Sequence, residues 1–593
     1  MVELVDTHAL GACASRREGS SPFIRTKDII FRYTCYRVGF GIEGQFVCYT
    51  LSMSKITDYL NEHITGDVVA TDNVRKQFAT DGSILSLTPN LVAYPRIADD
   101  VRKVARFAWR LAERGQVLPI TPRGNGTDVT GAAIGRGVAI SFPAHMSQIM
   151  EFDLKYRMIR VQPGLELDAL NQAVATQGLT LPISSGYSRV STIGGMIATN
   201  APGRQFAKYG SMRDWVDKLE VVLANGEIIQ TGRLTRRELS EKKGLQTLEG
   251  DIYRSVDSLI EDNPEVVQEI ADRRVLDGGY ALDQVRGKDG SFDLTPLLVG
   301  SQGTLGIVTQ AILRLIDTPM DDTLVVAALG DDVNTTDLAN LILELEPAMV
   351  EVVDGDTLSL VHEITGYQPW SSITKGLPAS LMFIEFDDKH SSRKLRKIAK
   401  IMEQAGVVDA NIAIEPDDVD KMMAVYNCVS AITNYSDGGT TAIPLVTELS
   451  IPVNDLADVM REVRGALDNN HLQAGMWCNF GSGLISVYPL VNLANLGQRQ
   501  VIVRLMDKLS KIASSYEGSL AGCAGTGRLL SLWAKDQESK AVADLHHQVK
   551  KAFDPYGILN PGVRDDGITR KEVLSVLRKS YSLGRLAQYN LRG

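Results

Sequence analysis

Two glycine-rich stretches carry the residue types that could do chemistry. Pro122-Arg123-Gly124-Asn125-Gly126-Thr127 lies just after the apolar run Val117-Leu118-Pro119-Ile120. Ser191-Thr192-Ile193-Gly194-Gly195-Met196-Ile197-Ala198-Thr199-Asn200 follows further along the chain. A strand that runs into a glycine-rich loop lets backbone N–H groups converge on a phosphate with no Cβ atoms in the way. The second stretch repeats the device with paired glycines and small neighbours, so an extended ligand can lie against backbone. Two such loops point to a large dinucleotide held along its length.

The elements around them follow from periodicity. Ile97, Val101, Val104, Ala105 and Ala108 form a helical stripe after Pro95. Strands are expected at Val117–Ile120, Val138–Phe142 and Met158–Val161, and a helix over 165–177 ending at Gly178. Asn225-Gly226 between Leu219–Leu223 and Ile228–Thr231 reads as a hairpin. After Leu315 the glycine-rich loops stop. Leu324–Leu329, Leu338–Leu345, Ala348–Val353 and Leu381–Phe386 then alternate strand and helix, as in a second domain. The basic, amphipathic tail from Thr569 places Val573, Val576, Leu577 and Leu583 on one stripe. It reads as a docked surface helix, with a membrane-surface contact as the other reading.

Composition narrows the class. Of 593 residues, 44% are hydrophobic and 23% charged, as in ordinary globular proteins. The net charge of −10 leaves no footprint for nucleic acid. There is no uninterrupted apolar run long enough for a spanning helix. The six cysteines lack metal-site spacing and are too sparse for a disulfide scaffold, so a cytoplasmic setting is expected, with a peripheral place at the inner membrane face left open. Residues 1–52 show no coherent period. Arg17-Glu18-Gly19-Ser20-Ser21-Pro22 can be encoded by a string containing GGTTCGA, which resembles the T-arm of a transfer-RNA gene. This segment is therefore expected to be a non-native or disordered extension, with the true start at Met53.

The ordered motifs carry a family resemblance. Pro122–Thr127 with Gly131 and the 191–203 stretch are followed by Lys208-Tyr209-Gly210 with Arg213-Asp214. Then come Gly300-Ser301-Gln302-Gly303-Thr304-Leu305-Gly306-Ile307-Val308-Thr309 and the Asp554–Gly562 ending. Together these resemble the D-lactate dehydrogenase and glycolate oxidase branch of the vanillyl-alcohol oxidase flavoproteins, over roughly residues 87–565.

The resemblance implies an α+β fold: a two-lobed PCMH-type FAD-binding domain and an α/β cap domain with an antiparallel sheet. It implies the FAD domain at 87–318 and the cap at 319–545, while the capped, helix-like sequence from Met53 makes 53–86 an N-terminal helical segment. Residues 546–566 return to the flavin domain, and 567–593 form the tail. FAD would be held non-covalently, because the glycine-rich loops contain no histidine or cysteine. Arg123, Gly124, Asn125, Gly126 and Thr127 would wrap its pyrophosphate. Ser191, Gly194, Gly195, Thr199 and Asn200 would continue along the phosphates and ribityl chain, and backbone at Ile307 and Val308 would meet a ring edge. Pro122, Gly131 and Gly203 complete the cofactor-binding set.

The same resemblance shows where the pattern breaks. That branch uses His-x-Gly-Asp-Gly-Asn-x-His and Glu-His-Gly-Ile-Gly to hold a divalent metal and supply a base. Here the stretches read Asn479-Phe480-Gly481-Ser482-Gly483-Leu484-Ile485-Ser486 and Cys523-Ala524-Gly525-Thr526-Gly527. Asn479, Ser486 and Cys523 stand at ligand positions and Ala524 at the base position, so no metal site is expected. The usual substrate-clamping arginine is replaced at Tyr426-Asn427-Cys428-Val429, and at least two of Cys428, Cys478 and Cys523 could share a cavity. The expected activity is oxidation of a CH–OH donor, with Tyr280, Glu448, Tyr488 and Asn560 as candidate catalytic residues. The partners are then a small hydroxylated substrate and a separate electron acceptor. D-2-hydroxy-acid dehydrogenation, a metal-free route on another substrate, and flavin binding without turnover all stay open at this point.

Overall fold

The computed structural model describes residues 53–183, 190–273, 275–319, 323–388, 391–407, 409–564 and 569–582. The expectation for residues 1–52 lies outside them. Near the start, the helix Met53–His63 buries Ile56 and Leu60, and Asp67–Val69 pairs antiparallel with Leu91–Tyr94. The segment before residue 87 is thus woven into the first sheet.

That sheet has four strands. Leu91–Tyr94 and Ile120–Arg123 both run parallel to Val138–Ser141, between them in the sheet. The helix Ala98–Ala112 covers it with Val101, Val104, Ala105 and Ala108 buried. Ile97 is the N-cap and is exposed, so it stands outside the stripe. Strand Ile120–Arg123 begins later than the apolar run suggested. Val117 is exposed at 57%, and the extended backbone instead continues through Pro122 into the glycine loop.

A second lobe is a five-stranded antiparallel sheet, in the order Ile149–Asp153, Met158–Val161, Ile307–Arg314, Val216–Val222 and Ile228–Gln230. The hairpin at Asn225-Gly226 joins Val222 to Ile228, with Gly226 at φ 86°. The helix Leu167–Ala175 packs on this lobe through Leu167, Leu170 and Val174.

The cap is a nine-stranded sheet with antiparallel pairing throughout. Both faces are covered, which explains the unbroken apolar runs of its central strands. Along Thr323–Leu329, Val325, Ala327 and Leu329 enter one core and Leu324, Val326 and Ala328 the other. The chain then returns to the first lobe, where Leu559 bridges to Ile120. The helix Arg570–Val576 also docks on the protein. Leu577 bridges Leu85, Tyr581 Oη donates to Gly82 O at 2.7 Å, and Val573 is buried. The tail's apolar stripe is spent on the protein itself as far as residue 582; Leu583 lies outside the described residues.

Candidate functional site

The first glycine loop is fastened from behind and left open in front. The Arg123 guanidinium turns away from the loop's open side, donating to Thr80 O (2.8 Å) and Ala133 O (3.0 Å) and lying over the Phe78 ring. Asn125 Nδ2 donates to Glu166 Oε1 (2.7 Å) and to the carbonyl of Val190 (2.9 Å), the residue just before the second stretch. Gly124 lies directly against Thr192, so a methyl group there would run into Thr192 Oγ1. Thr192 Oγ1 in turn accepts Gly195 N–H at 3.2 Å, capping the helix Ile193–Thr199.

These contacts hold the two stretches together as one backbone cradle, and that cradle fits an anionic dinucleotide. Among the described residues, the backbone N–H groups of Gly124, Asn125, Gly126 and Thr127 have no acceptor within the protein. Such donors call for an outside partner. At Gly195, only Thr192 Oγ1 lies within 4 Å of where a Cβ would sit.

A cleft of about 340 Å³ runs from this cradle to the cap, within the ordinary range for small-molecule sites. Pro122, Arg123, Gly124, Asn125 and Thr127 border it on one side. Ser191, Gly194, Gly195, Thr199, Gly203 and Val308 continue the border. Four expected cofactor residues do not reach it. Gly126 (φ 75°) and Gly131 (φ 81°) shape the loop, and Ile307 is fully buried at the start of its strand. Asn200, left-handed at φ 47°, accepts Arg213 N–H at 2.8 Å and ends the helix.

The cap wall is assembled by strand register. Glu351 sits opposite Asn479, and Trp477 opposite Ser486. All four border the cleft, with Tyr488 and Glu448. Tyr426 Oη donates to Glu351 Oε2 at 2.5 Å, and the Trp477 and Tyr488 rings stack 5.1 Å apart. Glu448 Oε2 accepts Ala524 N–H at 2.6 Å. Burial pushes the Glu448 carboxyl up to about 7, against the lowering effect of that hydrogen bond.

Of the four candidate catalytic residues, Glu448 and Tyr488 border the cleft and the other two do not. Tyr280 is buried, its hydroxyl 2.7 Å from Thr304 Oγ1 and Arg564 over its ring. Asn560 is a fastener: Nδ2 donates to Ala132 O and Gln302 O, while Oδ1 accepts from Arg528 and Thr121.

At the positions of the family's metal motifs, Asn479 Nδ2 donates to Arg204 O (2.9 Å) and its Oδ1 accepts Ser482 N–H (3.0 Å). Ser486 Oγ donates to Thr447 O at 2.8 Å. None of the three buried cysteines borders the cleft, and Cys428 and Cys478 enter different cores. Burial, reinforced by Glu448, pushes the Cys523 thiol up, which opposes thiolate chemistry. Among the described residues no group of three or more His, Cys, Asp or Glu side chains could hold a metal.

Sequence reasoning missed Glu351 and Trp477 as site residues, because nothing local marks them, and it marked Tyr426 only as part of the stretch that lacks the clamping arginine. Gln302 stands inside the Gly300–Thr309 motif, yet its part is visible only in three dimensions. Held at φ 52°, Gln302 donates to Ala524 O (2.8 Å) and accepts Gly527 N–H (3.0 Å), tying the first half to the cap.

A backbone cradle on a mixed two-lobed half, closed by an antiparallel cap, defines a flavoprotein fold. Solved structures agree: 4-ethylphenol oxidase from Gulosibacter chungangensis (TM-score 0.61, 16% identity) aligns over 87% of this chain and 98% of that one. p-Cresol methylhydroxylase (TM-score 0.61, 13% identity) aligns over 87% and 96%. Residues 89–232 match the FAD binding domain, and residues 323–563 match the C-terminal domain of FAD linked oxidases.

The two matches together cover more than half of the chain, which therefore belongs to the FAD-linked oxidase family. D-2-hydroxyglutarate dehydrogenase of Escherichia coli (strain K12) is 30% identical over 529 residues, 86% of this chain and 52% of that protein. The chain thus spans about half the length of the curated D-2-hydroxyglutarate dehydrogenases it matches. Glycolate oxidase subunit GlcD of Bacillus subtilis (strain 168) is 27% identical over 497 residues, 82% of this chain and 91% of that one. No helix among the described residues is long and apolar enough to cross a membrane.

Proposed function

We propose that this protein is an FAD-dependent oxidoreductase that oxidises a CH–OH donor and passes the electrons to a separate acceptor. The observation that carries the reading is one cleft, bordered at one side by Gly124, Asn125 and Thr127, whose backbone N–H groups are unused, and at the other by Glu448. FAD bound in the cradle supplies an acceptor for the hydride that leaves the carbinol carbon. The chain's own part is to hold the donor against the cap wall and take the hydroxyl proton. Glu448 suits that role, since its carboxyl at about 7 is a base near neutral pH and the Ala524 N–H fixes one oxygen. The stacked Trp477 and Tyr488 rings supply a flat apolar wall.

The test is anaerobic flavin bleaching by a panel of hydroxylated compounds, with Glu448→Gln alongside. Bleaching by at least one compound, slowed about 10²–10⁴-fold in the variant with FAD still bound, is expected. Protein that retains no FAD, or FAD that no hydroxylated compound reduces, refutes the reading. A Glu448→Gln variant that bleaches at the native rate removes Glu448 as the base.

A further inference from the structure

The basic tail does more than cover an apolar stripe. Its segment 577–581 packs on residues 82–85, and these in turn pack on the back of the first glycine loop. Two lines of contact cross this layer. In one, Tyr581 Oη donates to Gly82 O at 2.7 Å, and Gly82 N–H donates to Gly126 O at 3.0 Å. A Cβ at Gly82 would meet Asp128 O at 2.9 Å and Thr127 O at 3.0 Å, so backbone lies directly on backbone here. In the other, Leu577 bridges Leu85, whose Cδ1 lies 2.9 Å from where a Gly131 Cβ would sit.

The tail is fixed at both ends. Arg578 N–H donates to Ile84 O (2.9 Å), Ser86 N–H donates to Val576 O (2.8 Å), and Arg578 Nη1 reaches Ser83 O at 3.2 Å. At the far end, Arg570 Nη2 donates to Asp507 Oδ1 at 2.5 Å on the cap helix Leu496–Ser515.

Peptide geometry gives the Gly82–Gly126 bond its consequence. In a trans peptide the C=O of one residue and the N–H of the next point opposite ways. Gly82 holds Gly126 O from behind, so the Thr127 N–H of the same peptide is turned to the front, where Thr127 borders the cleft. Gly126, at φ 75°, has no side chain with which to hold this peptide itself. A loop of this kind keeps its donors aimed when it is clamped from outside, and donors already aimed bind without a further ordering cost.

We propose that residues 577–581 form a strap that keeps the first glycine loop in its FAD-receiving shape, with Tyr581 and Leu577 as positioning residues for the cofactor. Neither borders the cleft; they act through Gly82 and Leu85. The strap rests on FAD lying in the cradle and is independent of which donor is oxidised.

The experiment follows FAD release from the diluted holoenzyme by flavin fluorescence, in the native protein and in Tyr581→Phe, Leu577→Ala and Val361→Ala. Tyr581→Phe removes one hydroxyl and keeps the ring. Val361 is buried in the core on the cap's other face, whereas Leu577 and Tyr581 join the first core, so Val361→Ala is the control for lost stability. Release is expected to quicken at least about threefold in Tyr581→Phe and at least about tenfold in Leu577→Ala. In Val361→Ala it should stay within about twofold of native while the protein melts lower. Hydrogen exchange at Gly82 N–H in the FAD-stripped full chain reads the bond to Gly126 without cofactor. It should quicken at least about threefold in Tyr581→Phe.

A native release rate in Tyr581→Phe overturns the proposal, even with faster exchange at Gly82, since the tail then serves stability alone. Release quickened as much by Val361→Ala as by Tyr581→Phe overturns it too. Gly124→Ala separates the strap from the cradle. FAD held as tightly in both Gly124→Ala and Tyr581→Phe as in the native protein removes FAD from the cradle, and the strap with it. Release quickened in Gly124→Ala alone removes only the strap. Quickened release in Tyr581→Phe, with no bleaching by any hydroxylated compound, refutes the oxidoreductase reading and leaves the strap standing. If Leu577→Ala does not fold, Tyr581→Phe decides alone.

Discussion

At the scale of single residues, the cleft depends on one atom that is absent and one proton that moves. Gly124 is excluded from carrying a side chain by Thr192 rather than by its own dihedral angles. Gly124→Ala is expected to push the two glycine-rich stretches apart, an overpacking cost of about 1–3 kcal/mol. The flavin-to-protein absorbance ratio after gel filtration should fall at least about tenfold while the far-UV spectrum is kept. Glu448 gives a pH signature. As a base it must be ionised, so kcat/KM should rise with pH and level off above about 7, and Glu448→Gln should lack that limb. A rate that is flat from about pH 5 to 8 would assign the proton to another group.

At the scale of elements, the segment before the first glycine loop holds a buried acid that couples stability to pH. The Asp81 Oδ1 atom accepts Ser83 N–H (3.0 Å) and Ser83 Oγ–H (2.5 Å), while Oδ2 has no partner. Burial, then the Asp128 carboxylate, pushes Asp81 up to about 7 from an ordinary 3.8, although Arg123 pulls it down. The folded state therefore keeps a proton that the unfolded chain releases above 3.8. Its stabilising contribution is full below that value and is lost as pH rises through about 7. Asp81→Asn is expected to flatten the fall in Tm between about pH 5 and 8, and to melt a few degrees higher than the native protein at the upper end. Calorimetry at both values checks this; an unchanged slope would place the proton elsewhere.

Across the whole molecule, the cleft exists because the cap is locked to the flavin half by polar contacts. Lys208 pairs with Asp387, Tyr209 Oη donates to the same carboxylate at 2.5 Å, and Gln205 reaches Glu385. The Asp387 side chain is 1% exposed. Lys208 is 33% exposed, so the two partners are not equivalent. Lys208→Met strands the buried carboxylate, the costly case, and should lower the urea midpoint clearly and loosen FAD retention, whereas Asp387→Ala leaves a lysine that water still reaches and should cost less. Equal stability of Lys208→Met and the native protein would show that the apolar contacts alone hold the cap.

How much of this could be read from the chain depends on how local each cause is. Helix Ala98–Ala112, the Asn225-Gly226 hairpin and the cap strands Thr323–Leu329, Met349–Asp354 and Ser380–Phe386 follow from short-range periodicity and backbone sterics, and they stand close to where the sequence places them. The glycine-rich loops were legible for the same reason, since a left-handed turn at Gly126 is a property of a few neighbouring residues. The ends of elements were less so. The strand before the first loop runs on through Pro122 because its parallel partner at Val138–Ser141 reaches that far.

The sequence by itself determined the order of the motifs, the glycine-rich loops of the cradle and the uncharged residues Asn479 and Ser486 in the second half, all matters of residue type at fixed spacing. Only the tertiary structure decided which polar groups do something in the cleft. It turned Arg123 away, spent Asn560 and Tyr280 on fastening, and brought Glu351, Tyr426, Trp477 and Glu448 to one wall. Those four lie on segments far apart in the chain. Strand register and packing against distant partners settle which way each side chain points, and no short stretch of sequence contains that information.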